Sequence, residues 1–147
     1  MLEYLLKYAF LYLKSFLSFQ NFSGIDGNGF LQTSSPLLFF IEIKESILVG
    51  QAWDNDIRII LFIVLNKGFK LNEKLLQKIK IQIRKNASPR HVPAKVIVVN
   101  DIPRTKNGKI VELAVKNIIE GNKIKNKEAL ANPEVLKEYK NLKELNY

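Results

Sequence analysis

The chain has 147 residues, nearly half of them hydrophobic and a quarter charged, which excludes an intrinsically disordered protein and suits one small domain with an appendage. It contains no cysteine and one histidine, His91, so disulfides, thiolate catalysis and multi-histidine metal sites are excluded. The net charge of +9 favours an anionic partner such as a phosphate-rich cofactor, nucleic acid or an acidic membrane. The alternative is a solvated, lysine-rich surface without a specific partner.

The first 39 residues are predicted to form an N-terminal helix and a linker that precede the folded domain. Apolar residues recur at helical spacing over residues 1–20, which predicts an amphipathic helix. Lys7 and Lys14 interrupt the run, so no uninterrupted apolar stretch of membrane-spanning length is present there. Residues 21–36 are rich in Gly, Ser and Asn and are predicted to form a linker. We expect the helix to cover a face of the sheet, and binding to a membrane surface is the less favoured alternative.

Residues 40–147 are predicted to form a compact α/β (α+β) domain with a central three-stranded sheet and flanking helices. Short runs rich in apolar and β-branched residues predict strands over residues 46–51, 58–65 and 95–100. The single tryptophan, Trp53, falls in a loop between the first two strands. Packing is the simpler role for its ring, and stacking on an adenine is the alternative.

Three helices are predicted within this domain. The first is capped by Asn72, and its exposed face carries several lysines. We expect that face to be solvated and not to bind nucleic acid, because no aromatic residues are interleaved with the lysines. The second helix covers residues 111–120 and ends at Gly121. Asn132, which precedes a proline, is predicted to cap a final helix that runs to about Leu142.

A glycine-containing turn, residues 102–110 (IPRTKNGKI), lies between the third strand and the second helix. An exposed turn of this kind can present a cation to a phosphate or carboxylate in a neighbouring cleft while the flanking elements stay rigid. The turn is not a Walker phosphate loop, since it has one glycine and no Ser or Thr after Gly-Lys. From the residues alone, Lys109 is a surface lysine in the simpler interpretation and a stabiliser of developing negative charge in the other.

The same turn resembles the C-terminal lysine motif of the adenylate-forming acyl-CoA synthetases. The resemblance extends from about residue 43 to the end of the chain and is closest to the acetoacetyl-CoA synthetase branch. ELAV after GKIV points to that branch, and so does the ALANPE tail. The passages that carry the resemblance are ILVGQAWDNDIRIILFIVL, IRKNASPRHVPAKVIVVNDIPRTKNGKIVELAVKNII and KNKEALANPEVLKEY.

The resemblance implies roles for five residues. Lys109 matches the family lysine that contacts the substrate carboxylate and the nucleotide during adenylation, and Thr105 and Gly108 would shape its turn. Arg84 matches the arginine that contacts a CoA phosphate, for which the guanidinium fork is suited. Arg90 is a weaker candidate for the same pocket. His91 we expect to be a structural loop residue and not a base.

The reaction implied by the resemblance is that of an acid–thiol ligase, an acetoacetate–CoA ligase of the cytoplasm. ATP, acetoacetate and CoA give acetoacetyl-CoA, AMP and pyrophosphate with the help of Mg²⁺, and this chain itself carries no metal site. The family's adenylation domain, which holds ATP and the acyl group, has no counterpart in the 147 residues. We therefore expect the chain alone to be inactive. Either an adenylation domain complements it in trans, with CoA and the acyl-adenylate as ligands, or the chain is the remnant of a frameshifted or mispredicted gene. The alternative is a non-catalytic binding or regulatory module with the same fold.

Overall fold

The structure is a computed structural model that describes residues 40–86, 89–124 and 126–146. The helix predicted over residues 1–20 and the linker predicted over residues 21–36 lie outside the described residues. Within the described part, the element order is two strands, a helix, a short 3₁₀ helix, a third strand, a second helix and three further 3₁₀ helices.

A three-stranded sheet forms the centre of the domain, in the order β1-β2-β3. Strands β1 (Ile43–Trp53) and β2 (Asp56–Leu65) are antiparallel, and β3 (Lys95–Val98) pairs with β2 in parallel. The hairpin is longer than the sequence predicted. Asp54 and Asn55 both adopt left-handed backbone angles, with φ of 49° and 58°. Such a two-residue turn matches the twist of the flanking strands, so pairing continues through positions predicted as loop.

Strand β2 is buried on both faces of the sheet. Its residues 60–64 are all buried in succession, which explains the uninterrupted apolar run in the sequence. Leu61 and Ile63 face helix α1 (Glu73–Asn86), whereas Ile60 and Phe62 face the opposite layer. That opposite layer is formed by helix α2 (Glu112–Ile119) and the chain that follows it.

Asn72 caps helix α1, as predicted. The Asn72 side-chain oxygen accepts a hydrogen bond of 2.8 Å from the backbone N–H of Leu75, which satisfies one of the free amides at a helix start. The predicted apolar stripe packs on the sheet through Leu75, Ile79 and Ile83. Since β2 and β3 are parallel, α1 carries the chain back along the sheet and ends beside the start of β3.

The second helix and its end agree with the sequence prediction, but the final helix does not. Helix α2 is followed by Gly121 with φ of 74°, the left-handed conformation that glycine adopts without strain. The predicted final helix is a 3₁₀ helix, Pro133–Tyr139, followed by a shorter one, Lys143–Leu145. Asn132 makes no side-chain cap there, because its amide is bound to residues about 30 positions earlier. None of the described helices is long and apolar enough to cross a membrane.

Candidate functional site

The turn that carries Lys109 is closed by three hydrogen bonds, and Thr105 takes part in each of them. The N–H of Thr105 donates to the carbonyl of Lys109 at 2.8 Å, and its own carbonyl accepts from Gly108 at 2.8 Å. Its hydroxyl accepts from the N–H of Lys109 at 3.1 Å. Gly108 has φ of 78°, a conformation that residues with a side chain rarely adopt. A threonine and a glycine therefore define the shape of this turn.

The turn, from Arg104 to Ile110, is supported on both sides. At its base Arg104 and Ile110 face each other in an antiparallel bridge. On its outer side Thr105 forms a second antiparallel bridge with Leu130. Two backbone hydrogen bonds flank this bridge, from Lys106 N–H to the Ala129 carbonyl at 3.1 Å and from Ala131 N–H to the Arg104 carbonyl at 2.8 Å. The turn is thus held between its own return strand and the C-terminal tail.

Asn132 and Tyr139 extend this support to the segment that leads into the turn. The Asn132 amide oxygen accepts from the N–H of Arg104 at 2.9 Å, and its NH₂ donates to the Asp101 carboxylate at 2.7 Å. The Tyr139 hydroxyl donates to the Asp101 carbonyl at 2.8 Å. Burial, with a smaller contribution from Glu138, raises the pKa of Tyr139. This hydroxyl therefore stays protonated and can donate its hydrogen bond to the Asp101 carbonyl.

Lys109 itself is exposed and lies on the return side of this turn, opposite Thr105. Its ammonium has no hydrogen-bond or ion-pair partner within residues 40–86, 89–124 and 126–146. The neighbouring Arg104 differs, because its guanidinium pairs with the carboxylate of Glu45 near the start of β1. Glu45 lies opposite Val64 in the sheet, so the ion pair ties the turn to the carboxyl end of β2. Within the described residues, the ammonium of Lys109 is therefore unpaired, while the backbone of its turn is held in place.

Arg84 and Arg90 both lie at the other end of the sheet. Arg84 is in the last turn of α1, and Arg90 is in the 3₁₀ helix Pro89–His91 just before β3. Ala94, between them and β3, donates its N–H to the carbonyl of Ile59 near the start of β2. Both guanidinium groups are exposed, whereas His91 is partly buried and has an interaction within the domain. The structure therefore brings the two arginines to one end and places Lys109 at the opposite end.

Trp53 lies against Arg58, a partner that sequence reasoning missed. The Arg58 guanidinium carbon is 3.6 Å from the centre of the Trp53 ring. The same guanidinium donates to the Gln51 side chain at 2.8 Å and to the Leu145 carbonyl. The ring therefore packs on a cation, in line with the packing role expected for it. The available signal was the hairpin register, since Gln51 lies directly opposite Arg58.

A half-open depression of about 480 Å³ lies at the start of α1. None of the candidate residues at either end of the sheet lines it. Its lining combines three lysines with the carboxylate of Glu42. The depression is lined by Glu42, Gly68, Phe69, Lys70, Asn72, Lys74, Leu75 and Lys78. In the described part of the chain, no group of three or more His, Asp or Glu residues is placed to hold a metal ion.

Comparison with known proteins gives consistent matches. Residues 42–109 match the model of the AMP-binding enzyme C-terminal domain. The chain is 56% identical over 104 residues to acetoacetyl-coenzyme A synthetase of Rhizobium meliloti (strain 1021), and 42% identical over 107 residues to acetoacetyl-CoA synthetase of Xenopus tropicalis. These matches cover 71% and 72% of this chain and 16% of each relative, so the chain spans about a sixth of their length.

Among solved structures, acetoacetyl-CoA synthetase from Streptomyces lividans superposes with a TM-score of 0.61 at 34% identity. The match covers 71% of this chain and 17% of that one. An acyl-CoA synthetase of Brucella canis, with a TM-score of 0.50 at 22% identity, covers 54% of this chain and shares the fold. The matched fold is thus a small part of each of these larger proteins.

Proposed function

This chain belongs to the AMP-binding enzyme C-terminal domain family, and from this premise we propose that it serves as the C-terminal domain of an acetoacetate–CoA ligase. Support for the acetoacetate branch comes from the 56% identity to the Rhizobium meliloti acetoacetyl-coenzyme A synthetase. An adenylation domain, in the same protein or in trans, completes the enzyme. We place the reaction in the cytoplasm.

The proposed reaction has two steps. In the first, a carboxylate oxygen of acetoacetate attacks the α-phosphorus of ATP; the acyl-adenylate forms, and the bond to pyrophosphate breaks. In the second, the CoA thiol attacks the acyl carbonyl carbon, the thioester forms, and AMP leaves with the bonding electrons while the thiol proton passes to solvent. Mg²⁺ would assist the first step from groups on the adenylation domain.

Lys109 is assigned to the first step as a charge stabiliser. Its exposed, unpaired ammonium can enter a cleft of the adenylation domain and contact both the acid and the α-phosphate. Negative charge on the oxygens around phosphorus is stabilised there by a fixed cation, and removing one such group typically slows a reaction by about 10²- to 10³-fold. The lysine acts through its positive charge and forms no covalent bond.

Arg84 is assigned to CoA binding, with Arg90 beside it. Exposed guanidinium groups suit the phosphates of CoA because one fork can donate two parallel hydrogen bonds to phosphate oxygens. Both arginines are at the end of the sheet remote from Lys109. This separation of two cationic surfaces is the observation that carries the proposal, since it matches a reaction with two steps and two phosphate-bearing substrates.

The first experiment measures CoA binding to the full chain by titration calorimetry. We expect Arg84→Ala to weaken binding about tenfold or more, the cost of a charged hydrogen bond. Lys74→Ala, at the other end of α1, should leave binding unchanged, and so should Lys109→Ala. Equal affinity in wild type and Arg84→Ala would contradict the role of Arg84.

The second experiment adds the full chain to the separately purified adenylation domain of the Rhizobium meliloti relative. Pyrophosphate release from ATP and acetoacetate should depend on the chain and should fall about 10²- to 10³-fold with Lys109→Ala. The matched control is Lys106→Ala, an exposed lysine of the same turn. CoA binding by the chain combined with release indifferent to Lys109 would instead favour the alternative, a non-catalytic binding module.

A further inference from the structure

We propose that Asn132 is the positioning residue of the lysine turn, and that the tail from Ala129 to Tyr139 sets where the Lys109 ammonium can reach. The inference rests on the proposed function, in which Lys109 serves adenylation. It adds a residue to that function from outside the stretch that matches the family model, because the match ends at Lys109 itself.

The need for such a residue follows from the geometry of a lysine side chain. Four rotatable bonds separate the ammonium from its backbone, and within the described residues the ammonium of Lys109 has no partner to hold it. The placement of the charge therefore depends on the placement of the turn. A displacement of about 1 Å in a catalytic group can cost about 10²-fold in rate.

Asn132 is hydrogen-bonded to the chain on both sides of Pro103, where the chain enters the turn. Its amide oxygen holds the N–H of Arg104, and its NH₂ donates to the carbonyl of Ile102 at 3.0 Å as well as to the Asp101 carboxylate. One side chain thus fixes three successive non-proline residues of the approach. An alanine there would break all three hydrogen bonds and leave the turn bound to the tail by backbone pairing alone.

The tail can serve as a fixed reference because it is anchored in the core. Tyr139 is fully buried, and its ring meets that of Phe62 in the central strand edge to face, with 4.9 Å between the ring centres. Its hydroxyl and the Glu138 carboxylate hold the Asp101 carbonyl and the Asn100 N–H, both at 2.8 Å. A continuous set of contacts therefore leads from β2 through Tyr139 and Asn132 to the turn.

The primary test measures backbone amide exchange in the full chain. In Asn132→Ala the amides of Lys106 and Ala131 should exchange about tenfold faster or more, because each donates across the contact between the turn and the tail, to Ala129 and Arg104 respectively. The amides of β2 should keep their protection. The control is Glu134→Ala, an exposed side chain of the same 3₁₀ helix. Unchanged protection at Lys106 and Ala131 in Asn132→Ala would overturn the proposal.

A second variant covers the case in which Asn132→Ala does not fold. Tyr139→Phe keeps the buried ring and removes only the hydroxyl bound to Asp101. It should speed exchange at the same two amides by a few-fold, with β2 again unaffected. Equal acceleration across the whole domain would show that the tail acts on stability and not on the position of the turn. No acceleration at the turn would show that the Tyr139 hydroxyl does not help to hold it.

The functional readout separates this inference from the proposed function. With the adenylation domain added, Asn132→Ala should lower pyrophosphate release at least about tenfold while the affinity for CoA stays at the wild-type value. If Lys109→Ala slows release and Asn132→Ala does not, the positioning role is wrong and the proposed function stands. If neither substitution changes release, the proposed function is wrong, and amide exchange alone then reports whether Asn132 holds the turn.

Discussion

The guanidinium of Arg58 lies over the ring of Trp53, with 3.6 Å between its carbon and the ring centre, at the turn end of the β1–β2 hairpin. The two residues belong to neighbouring strands near a two-residue turn, so the contact closes the end of the sheet. Because the same guanidinium also binds the Leu145 carbonyl, it joins the hairpin to the end of the chain. Partial burial lowers the pKa of Arg58 from its ordinary value, and the group remains charged at neutral pH.

Arg58→Lys should destabilise the domain by about 1–2 kcal/mol, because an ammonium cannot keep the stacked ring and both hydrogen bonds together. The free energy of unfolding in urea measures this, and Trp53, the only tryptophan, reports the transition by fluorescence. Arg90→Lys, an exposed arginine, is the matched control and should change stability little. Equal stability of Arg58→Lys and wild type would show that the Trp53 contact contributes nothing.

Asn72→Ala should lower the free energy of unfolding by about 1 kcal/mol, since it removes the acceptor for the Leu75 N–H at the start of α1. Asn72→Asp keeps an acceptor and adds a negative charge at the helix N-terminus, so it should retain the stability of the wild type. Chemical denaturation of the two variants side by side provides the comparison. If both lose the same amount, the capping account of this residue is wrong.

Gly108→Ala should cost about 1–2 kcal/mol from backbone strain alone, because no atom lies within 4 Å of where its Cβ would stand. Gly68→Ala is a matched control with φ of 87° and equally open surroundings, far from the lysine turn in the sequence. The two variants should lose similar stability in thermal unfolding. Only Gly108→Ala should also speed trypsin cleavage after Lys106 and Lys109, and equal cleavage in both would contradict a local effect.

The domain should lose stability in alkaline solution because of Tyr139. Its pKa is raised in the folded chain above the ordinary value of 10.0, so the unfolded chain loses the hydroxyl proton first as the pH rises. The stabilisation is complete below pH 10 and declines as the pH rises above it. Denaturation from pH 8 to 11 should show this decline in the wild type and a smaller one in Tyr139→Phe. Identical profiles would indicate that the hydroxyl is exposed to solvent in the folded state.

The sequence predicted the elements whose cause is local. The apolar run of β2, the Asn72 cap and Gly121 after α2 each reflect residues within a few positions of one another, and the structure confirms them. Asn132 shows where this reasoning fails. Asparagine before proline is typical of a helix start, yet its amide binds Asp101, 31 residues away, and no local pattern encodes that partner.

The Arg58 contact was missed for a similar reason. Gln51 and Trp53 reach it from the adjacent strand through the hairpin register, and the Leu145 carbonyl reaches it from the end of the chain, a contact that only the finished fold makes. The placement of Arg84 and Lys109 at opposite ends of the sheet was likewise beyond the sequence, because it depends on β3 running parallel to β2.

That placement limits what one ligand can touch. The arginine end is anchored at Ile59 and the lysine turn at Val64, five positions farther along the same strand. At about 3.3 Å per residue these anchors are about 17 Å apart, and a buried strand that is paired on both sides does not shorten. A compact phosphate compound bound by the arginines therefore leaves the lysine free. The arginine end and the lysine turn should therefore bind their ligands independently. An inhibitor that binds both would need a rigid linker of at least that length.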